Sequence, residues 1–318
     1  MEPIQKTTWQ GMGALAMESA ALRVVVVPAL GAKIVSLFDK RVDHEWLIAP
    51  MRPLRPVAYG ARFTDQDMSG WDECLPTINA CPYPAAGPFA EASLPDHGEV
   101  WALPWQPVDA APHALTLAVD GRALPYRLQR TLRFAAPDTL QLDYQIANTG
   151  AAAFAYLWAA HPQFTCDEET TIVLPPAIKE VYNVVTDGHW GAAGQRYPWP
   201  VAIAQNGARY QLDCIGAATR HDCRKFYLPP ESSVTWAALV DYRRGFGLRM
   251  TWDAAELPYL GIWVDEGAIN CVSTVALEPT NGFYDSLSIA HGNGQVRVLA
   301  AGETQHWQIG VTLTQGEP

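Results

Sequence analysis

The sequence predicts an all-β protein, a large antiparallel β-sandwich with few short helices. Three observations carry this reading: short β-branched or alternating apolar runs, turn residues between them, and a composition low in charge but rich in aromatics and proline. Charged residues make up 17% of the 318, while Trp reaches 12 and Pro 25. This composition suits loop-rich β structure with aromatic side chains left over for a ligand face, and it disfavours helical bundles and coiled coils.

The elements follow in order along the chain. Leu22-Arg23-Val24-Val25-Val26-Val27 is β-branched and closes at Pro28, giving a strand at 22–27, and its partner at 33–38 follows Gly31. A run at 115–119 precedes Asp120-Gly121, a hairpin signal, and is followed by alternating runs at 126–134 and 140–146. The segment 151–160 is Ala-rich, yet Phe154, Tyr156, Leu157 and Trp158 fit a strand leading into His161-Pro162. Tyr259 to Val264 is a further strand, with Asp265-Glu266-Gly267 as a solvated turn after it, and 307–313 alternates near the end. Strands at such spacing imply a sandwich or barrel. No low-complexity linker and no fixed-period repeat interrupts the chain, so residues 1–318 are expected to form one domain.

Composition also excludes functions. The net charge is −11, which offers little to a phosphate backbone, so nucleic acid is not an expected partner. The most apolar stretch, from Leu22 to Leu30, is interrupted by Arg23 and Pro28 and is too short to span a bilayer. Met1-Glu2-Pro3-Ile4-Gln5-Lys6 lacks the basic start and apolar run of a secretion signal. A cytoplasmic location without a membrane partner is the expectation. The six cysteines form no C-x-x-C pair, and the histidines form no H-x-H or H-E-x-x-H pattern. Reduced thiols and no metal site are the expectation.

Candidate chemistry lies where polar residues meet Gly, Pro or Trp. Glu278 follows Val275-Ala276-Leu277 and precedes Pro279, a strand end where half burial raises a carboxyl towards the range of a general base. Pairing with an arginine or a backbone N–H is the alternative. His161 caps an apolar run before Pro162, suiting a general acid or a satisfied core histidine. His97, between Asp96 and Gly98 with Glu99 and Trp101 just beyond, reads as a turn histidine hydrogen-bonded to Asp96. Asp72 and Glu73 are placed to hold sugar hydroxyls or to cap the turn at Gly70. Trp71, Trp101 and Trp263 suit stacking on the C–H face of a pyranose, or the core.

The order of His97-Gly98, of His161 after an aromatic strand, and of Glu278-Pro279 late in the chain resembles the aldose 1-epimerase, or galactose mutarotase-like, family. The early segment Pro28-Ala29-Leu30-Gly31-Ala32-Lys33-Ile34-Val35-Ser36-Leu37 extends the resemblance over nearly the whole length. Asp96 stands where the family usually has Asn, and Trp71-Asp72-Glu73 looks like a divergent branch. The resemblance implies a large β-sandwich (supersandwich) with a carbohydrate cleft, and an isomerase acting on a small-molecule sugar without a cofactor. Carried over by position, Glu278 is the base, His161 the acid and His97 a second donor, with Asp72, Glu73, Trp71, Trp101 and Trp263 binding substrate. The expected starting state has Glu278 ionised and His161 protonated. A non-catalytic sugar-binding or sensing protein using the same cleft is the alternative. A two-carboxylate glycoside hydrolase is a third reading, disfavoured because Glu278 lacks a matched second carboxylate.

Overall fold

A computed structural model describes residues 3–111, 113–187 and 189–315. Among these residues, a 13-stranded and an eight-stranded sheet carry most of the chain, joined by three two-stranded ribbons. Every pairing between strands is antiparallel, and the one α-helix described, Leu287–Gly292, is short. Six strands named from the sequence are present as Leu22–Val27, Lys33–Asp39, Ala114–Asp120, Tyr126–Ala136, Thr139–Asn148 and Thr304–Gln315, and a seventh as Tyr259–Glu266. The segment before His161 splits into Phe154–Tyr156 and Ala159–Pro162, which join different sheets.

Alternation decides which side chains enter the sandwich. Along Thr139–Asn148 every second residue is buried, and Leu140, Leu142, Tyr144 and Ile146 line one face. Ile309, Val311 and Leu313 extend that face across the neighbouring strand. Period-two alternation turns one side of each strand inwards and leaves the other polar, as expected for a half-buried antiparallel sheet. The central strands of the larger sheet, Trp71–Cys74, Ala159–Pro162 and Ser273–Thr280, are buried on both faces. Loops cover their outer side.

Polar residues interrupt the apolar interior at one place between the sheets. Arg130 lies on the inward face of Tyr126–Ala136, opposite Tyr144, and is fully buried. Its Nη1 donates to Glu73 Oε1 of the facing sheet at 2.7 Å, and the Tyr144 hydroxyl donates to the same oxygen at 2.7 Å. Nη2 donates to the Ala32 carbonyl, and the guanidinium lies over the Trp105 ring. Glu73 and Trp71 therefore belong to the space between the sheets, because residues two apart on a strand share a face. Trp71 packs fully buried, edge-on to Phe164.

The sequence also misplaced Asp265 and Glu266, read as a solvated turn. The strand runs on as Tyr259–Glu266, and both carboxylates are buried. Asp265 accepts the N–H groups of Ala268, Ile269 and Asn270, while Glu266 pairs with Arg224 at 3.0 Å. Buried charge survives there because each oxygen has donors to replace water.

Glu73→Ala leaves the Arg130 charge buried without its carboxylate, and should cost about 3–5 kcal/mol in urea unfolding. The double substitution Glu73→Leu with Arg130→Met, which removes both charges, should recover most of that loss.

Candidate active site

The outer face of the larger sheet forms the floor of a cleft of about 290 Å³, close to the lower bound of about 300–1,000 Å³ usual for small-molecule sites. Strand register assembles this floor. His161 lies directly opposite Asp72, Ala159 opposite both Cys74 and Thr280, Glu278 opposite Gly261, and Lys225 opposite Trp263. Directly opposed residues share a face, so Asp72, His161, Glu278, Trp263 and Lys225 all point away from the interior between the sheets.

Glu278 is fully buried rather than half buried, and it lies within Ser273–Thr280 rather than at the strand's end. Its Oε2 accepts a 2.6 Å hydrogen bond from Lys225 Nζ. Its Oε1 has no hydrogen-bond partner and lies 3.9 Å from His161 Nε2. That separation is too long for a direct bond and leaves both atoms available to a third group. Gly261 makes room here: a Cβ would sit 3.3 Å from Glu278 Oε2 and 3.2 Å from the Tyr227 ring.

His97 reaches the same cleft from a loop. Its backbone and that of Gly98 are both left-handed, with φ of 57° and 70°. Glycine is required at 98 because a Cβ there would overlap the Leu75 carbonyl. Asp96 Oδ1 holds His97 Nδ1 at 3.0 Å, and Asp96 Oδ2 accepts the Phe63 N–H at 2.8 Å. Phe63 stacks on the His97 ring with centroids 4.2 Å apart and meets His161 edge-on at 5.0 Å. The two imidazoles lie 5.1 Å apart, centroid to centroid. His97 is thus both the turn histidine bonded to Asp96 and a wall of the cleft.

Electrostatics reverse the expected resting protonation. Burial, followed by the charges of His97, Lys225 and Lys33, pushes His161 well below its ordinary value, so the ring is neutral at pH 7. Burial raises Glu278 to about 7, opposed by Lys225 and reinforced by Asp285. Burial opposes the charge on Lys225, but Asp285 and Glu278 outweigh it and raise its pKa. The resting cleft holds a charged lysine, a neutral histidine and a glutamate that shares its population between both forms. The pairing of an ionised Glu278 with a protonated His161 is not the resting state, because burial and the positive charges near His161 keep its ring neutral.

The predicted binding residues divide. Trp263 lines the cleft, 6.4 Å from His161 between ring centroids. Trp101 does not line it: the indole Nε1–H donates to the Asp96 and Gly98 carbonyls, each at 3.1 Å, bracing the loop that carries His97. Asp72 lies on the cleft side but is sealed beneath it, 3.2 Å from Lys33 Nζ and pushed by burial to about 7. Trp71 and Glu73 face the opposite way, into the sandwich, and cannot touch a ligand in the cleft.

Lys225, Asp285 and Phe63 escaped the sequence reading. Lys225 carries a signal of its own, a lysine sharing a strand face with Cys223 and Tyr227. Asp285 and Phe63 come from loops distant in sequence and carry no local pattern. Among the described residues, no group of three or more His, Cys, Asp or Glu side chains is arranged to hold a metal ion. Nor is any described helix long and apolar enough to cross a membrane.

No family model matches the chain, and no curated protein matches it in sequence. Solved structures do match in shape. The Slr1438 protein from Synechocystis sp. PCC 6803 superposes with a TM-score of 0.72 at 16% identity, over 99% of this chain and 98% of that one. The galactose mutarotase related enzyme from Lactobacillus acidophilus gives 0.69 at 13% identity, over 96% and 98%. A galactose mutarotase-like protein from Clostridium acetobutylicum gives 0.69 at 12%, over 99% of both chains. The chain has the galactose mutarotase-like fold. In this mutarotase-like sandwich, the cleft with His97, His161 and Glu278 opens on the outer face of the larger sheet.

The electrostatics make a direct expectation. In ¹⁵N NMR of the imidazoles, His161 should remain neutral at pH 6, where an ordinary histidine is more than half protonated. A His161 ring that titrates near its ordinary value would show that the cleft is wetter than its packing indicates.

Proposed function

We propose that the protein is an aldose 1-epimerase, interconverting the α and β anomers of a free sugar by ring opening and closure. The observation that supports this most is the unpartnered Glu278 Oε1 facing His161 Nε2 across 3.9 Å. A proton acceptor and a proton donor around one small gap suit a reaction in which one oxygen of a carbon loses a proton while another gains one. A binding site has no need of that pair.

In this reading the anomeric hydroxyl gives its proton to Glu278 Oε1, and His161 gives a proton to the ring oxygen. The bond from the anomeric carbon to the ring oxygen breaks, leaving the open-chain aldehyde. Rotation about C1–C2 presents the other face of the carbonyl, and reclosure returns both protons. His97, fixed by Asp96, donates a hydrogen bond beside the ring oxygen, and Trp263 supports the C–H face of the ring.

The resting proton distribution is compatible with this scheme. The reaction needs one proton on the Glu278–His161 pair, and in the fraction of molecules that hold it at rest it sits on Glu278. Transfer to His161 gives the reactive form as a minority species. That form is strong in both directions, since a histidine of depressed pKa is a good acid and a glutamate of raised pKa a good base.

Two outcomes test the proposal by polarimetry or saturation-transfer NMR over a panel of aldoses. Glu278→Gln should bind sugar yet lower the anomer-exchange rate by roughly 10² or more, the scale of a lost general base. His161→Asn should cause a similar fall. As pH rises through about 7, Glu278 loses the proton that the pair needs, so kcat/KM should decline on the alkaline side. On the acid side it should hold to well below pH 6.5, because His161 takes up a second proton only there. If the wild-type protein accelerates exchange of no aldose while binding one, the sugar-binding reading replaces this one.

A further inference from the structure

Glu278 is held from one side only. Lys225 Nζ lies 2.6 Å from Oε2, while Oε1 remains without a hydrogen-bond partner. Lys225 is in turn held by a second carboxylate, Asp285 Oδ1 at 3.1 Å. That oxygen also accepts a 2.8 Å hydrogen bond from the Tyr227 hydroxyl. The chain Tyr227–Asp285–Lys225–Glu278 therefore runs along the cleft floor and ends at a single free carboxylate oxygen.

We propose that Lys225, locked by Asp285 and Tyr227, is a positioning residue that clamps Oε2 of Glu278 and so makes Oε1 the one oxygen available for proton transfer. The inference rests on the epimerase reading for its chemical purpose, but the clamp itself is a property of the unliganded cleft. A carboxylate in a buried strand has a free terminal torsion, which is broad and roughly two-fold. Without a fixed partner the carboxylate plane would turn about that torsion and the gap to His161 would vary. One charge-assisted hydrogen bond to Oε2 removes that freedom, and such bonds are shorter and stronger than neutral ones. Lys225 could not do this alone. Its flexible stem carries a compact point charge with three rotatable donors, and the second carboxylate fixes where the ammonium sits.

The clamp also sets how readily Glu278 takes a proton. The groups around its carboxyl are Lys225 and Tyr227 on Asp222–Tyr227, Asp285 on the loop before the short helix, His161 on Ala159–Pro162, and Cys74 on Trp71–Cys74. Lys225 favours the ionised form and Asp285 opposes it. Removing one or the other must therefore move the Glu278 titration in opposite directions. Neighbouring charge alone gives these signs, so the placement of Glu278 is read separately, in kcat against KM.

The test reads the Glu278 carboxyl directly by ¹³C NMR in the sugar-free protein, with anomer exchange measured in parallel. Lys225→Met should raise the titration midpoint by about one to three pH units, the usual effect of one adjacent charge. It should also lower kcat by roughly 10-fold to 10²-fold, the cost of a misplaced reacting group, with KM changed less. Asp285→Asn should move the midpoint down. It retains the Lys225–Glu278 pair, so it carries the test if Lys225→Met fails to fold. Tyr227→Phe, which frees Asp285 but leaves every charge in place, should lower kcat with little change in the midpoint. An unchanged midpoint in folded Lys225→Met, or an unchanged or raised midpoint in Asp285→Asn, overturns the clamp. If the midpoints shift as expected but the wild-type protein exchanges no anomers, the clamp stands and the epimerase reading falls.

Discussion

The alternation of Trp71-Asp72-Glu73-Cys74 is the constraint on which the rest of this structure depends. Four consecutive residues divide between two environments: Trp71 and Glu73 enter the sandwich, while Asp72 and Cys74 lie buried on the cleft side. Glu73 binds Arg130 and Tyr144 of the facing sheet, which ties that division to the assembly of the two sheets. A slip of one residue would bury Asp72 where Arg130 expects a carboxylate on a longer stem and would turn Glu73 towards Lys33. Because the side-chain period is two, register errors invert a whole strand, and a buried ion pair is one means of forbidding them. His161 inherits its direction from this strand, because it lies directly opposite Asp72.

Charge is buried on both sides of the larger sheet, with different consequences. In the interior, Glu73 and Arg130 are fully buried and Tyr144 shares the carboxylate, an arrangement that serves assembly. On the cleft side, Glu278 keeps one oxygen unpartnered at the cost of desolvation, and Lys225 offsets only part of that cost. Burying an ion pair commonly brings little net stability, so the cleft pair is better understood through what it leaves free. A surplus of carboxylates surrounds two lysines here: Asp67 and Asp72 at Lys33, Glu278 and Asp285 at Lys225. This surplus keeps both lysines charged and leaves one acid of each pair near neutrality, Asp72 and Glu278, each pushed to about 7.

The aromatic residues show why composition was a fair guide to architecture and a poor one to individual roles. Twelve tryptophans suggested a stacking surface, and of the three singled out Trp263 lines the cleft. Trp101 instead spends its N–H on two carbonyls of the His97 loop, and Trp71 fills the core beside Phe164. The ring nearest both histidines is Phe63, which belongs to a short 3₁₀ turn rather than to a strand. Position on the sheet decides whether an indole meets solvent, and that position is a long-range property.

The sequence by itself determined the all-β class, the six strands with clear alternation or β-branched runs, and the segments that supply His97, His161 and Glu278. These are local properties: a strand's face is written in its own period, and a turn in its own Gly, Pro or Asp. Even the buried Arg130 left a local trace, standing in phase with Tyr126, Leu128, Leu132 and Phe134. Tertiary structure alone decided what neighbours those residues have. Whether Glu73 meets a ligand or Arg130, whether Asp265 is solvated or capped by three N–H groups, and whether Glu278 faces an arginine or Lys225 all depend on pairings between strands far apart in the chain. The proton on Glu278 rather than on His161 belongs to the same class of fact. It follows from desolvation and from the charges of Lys225, Asp285, His97 and Lys33, which no single stretch of sequence contains.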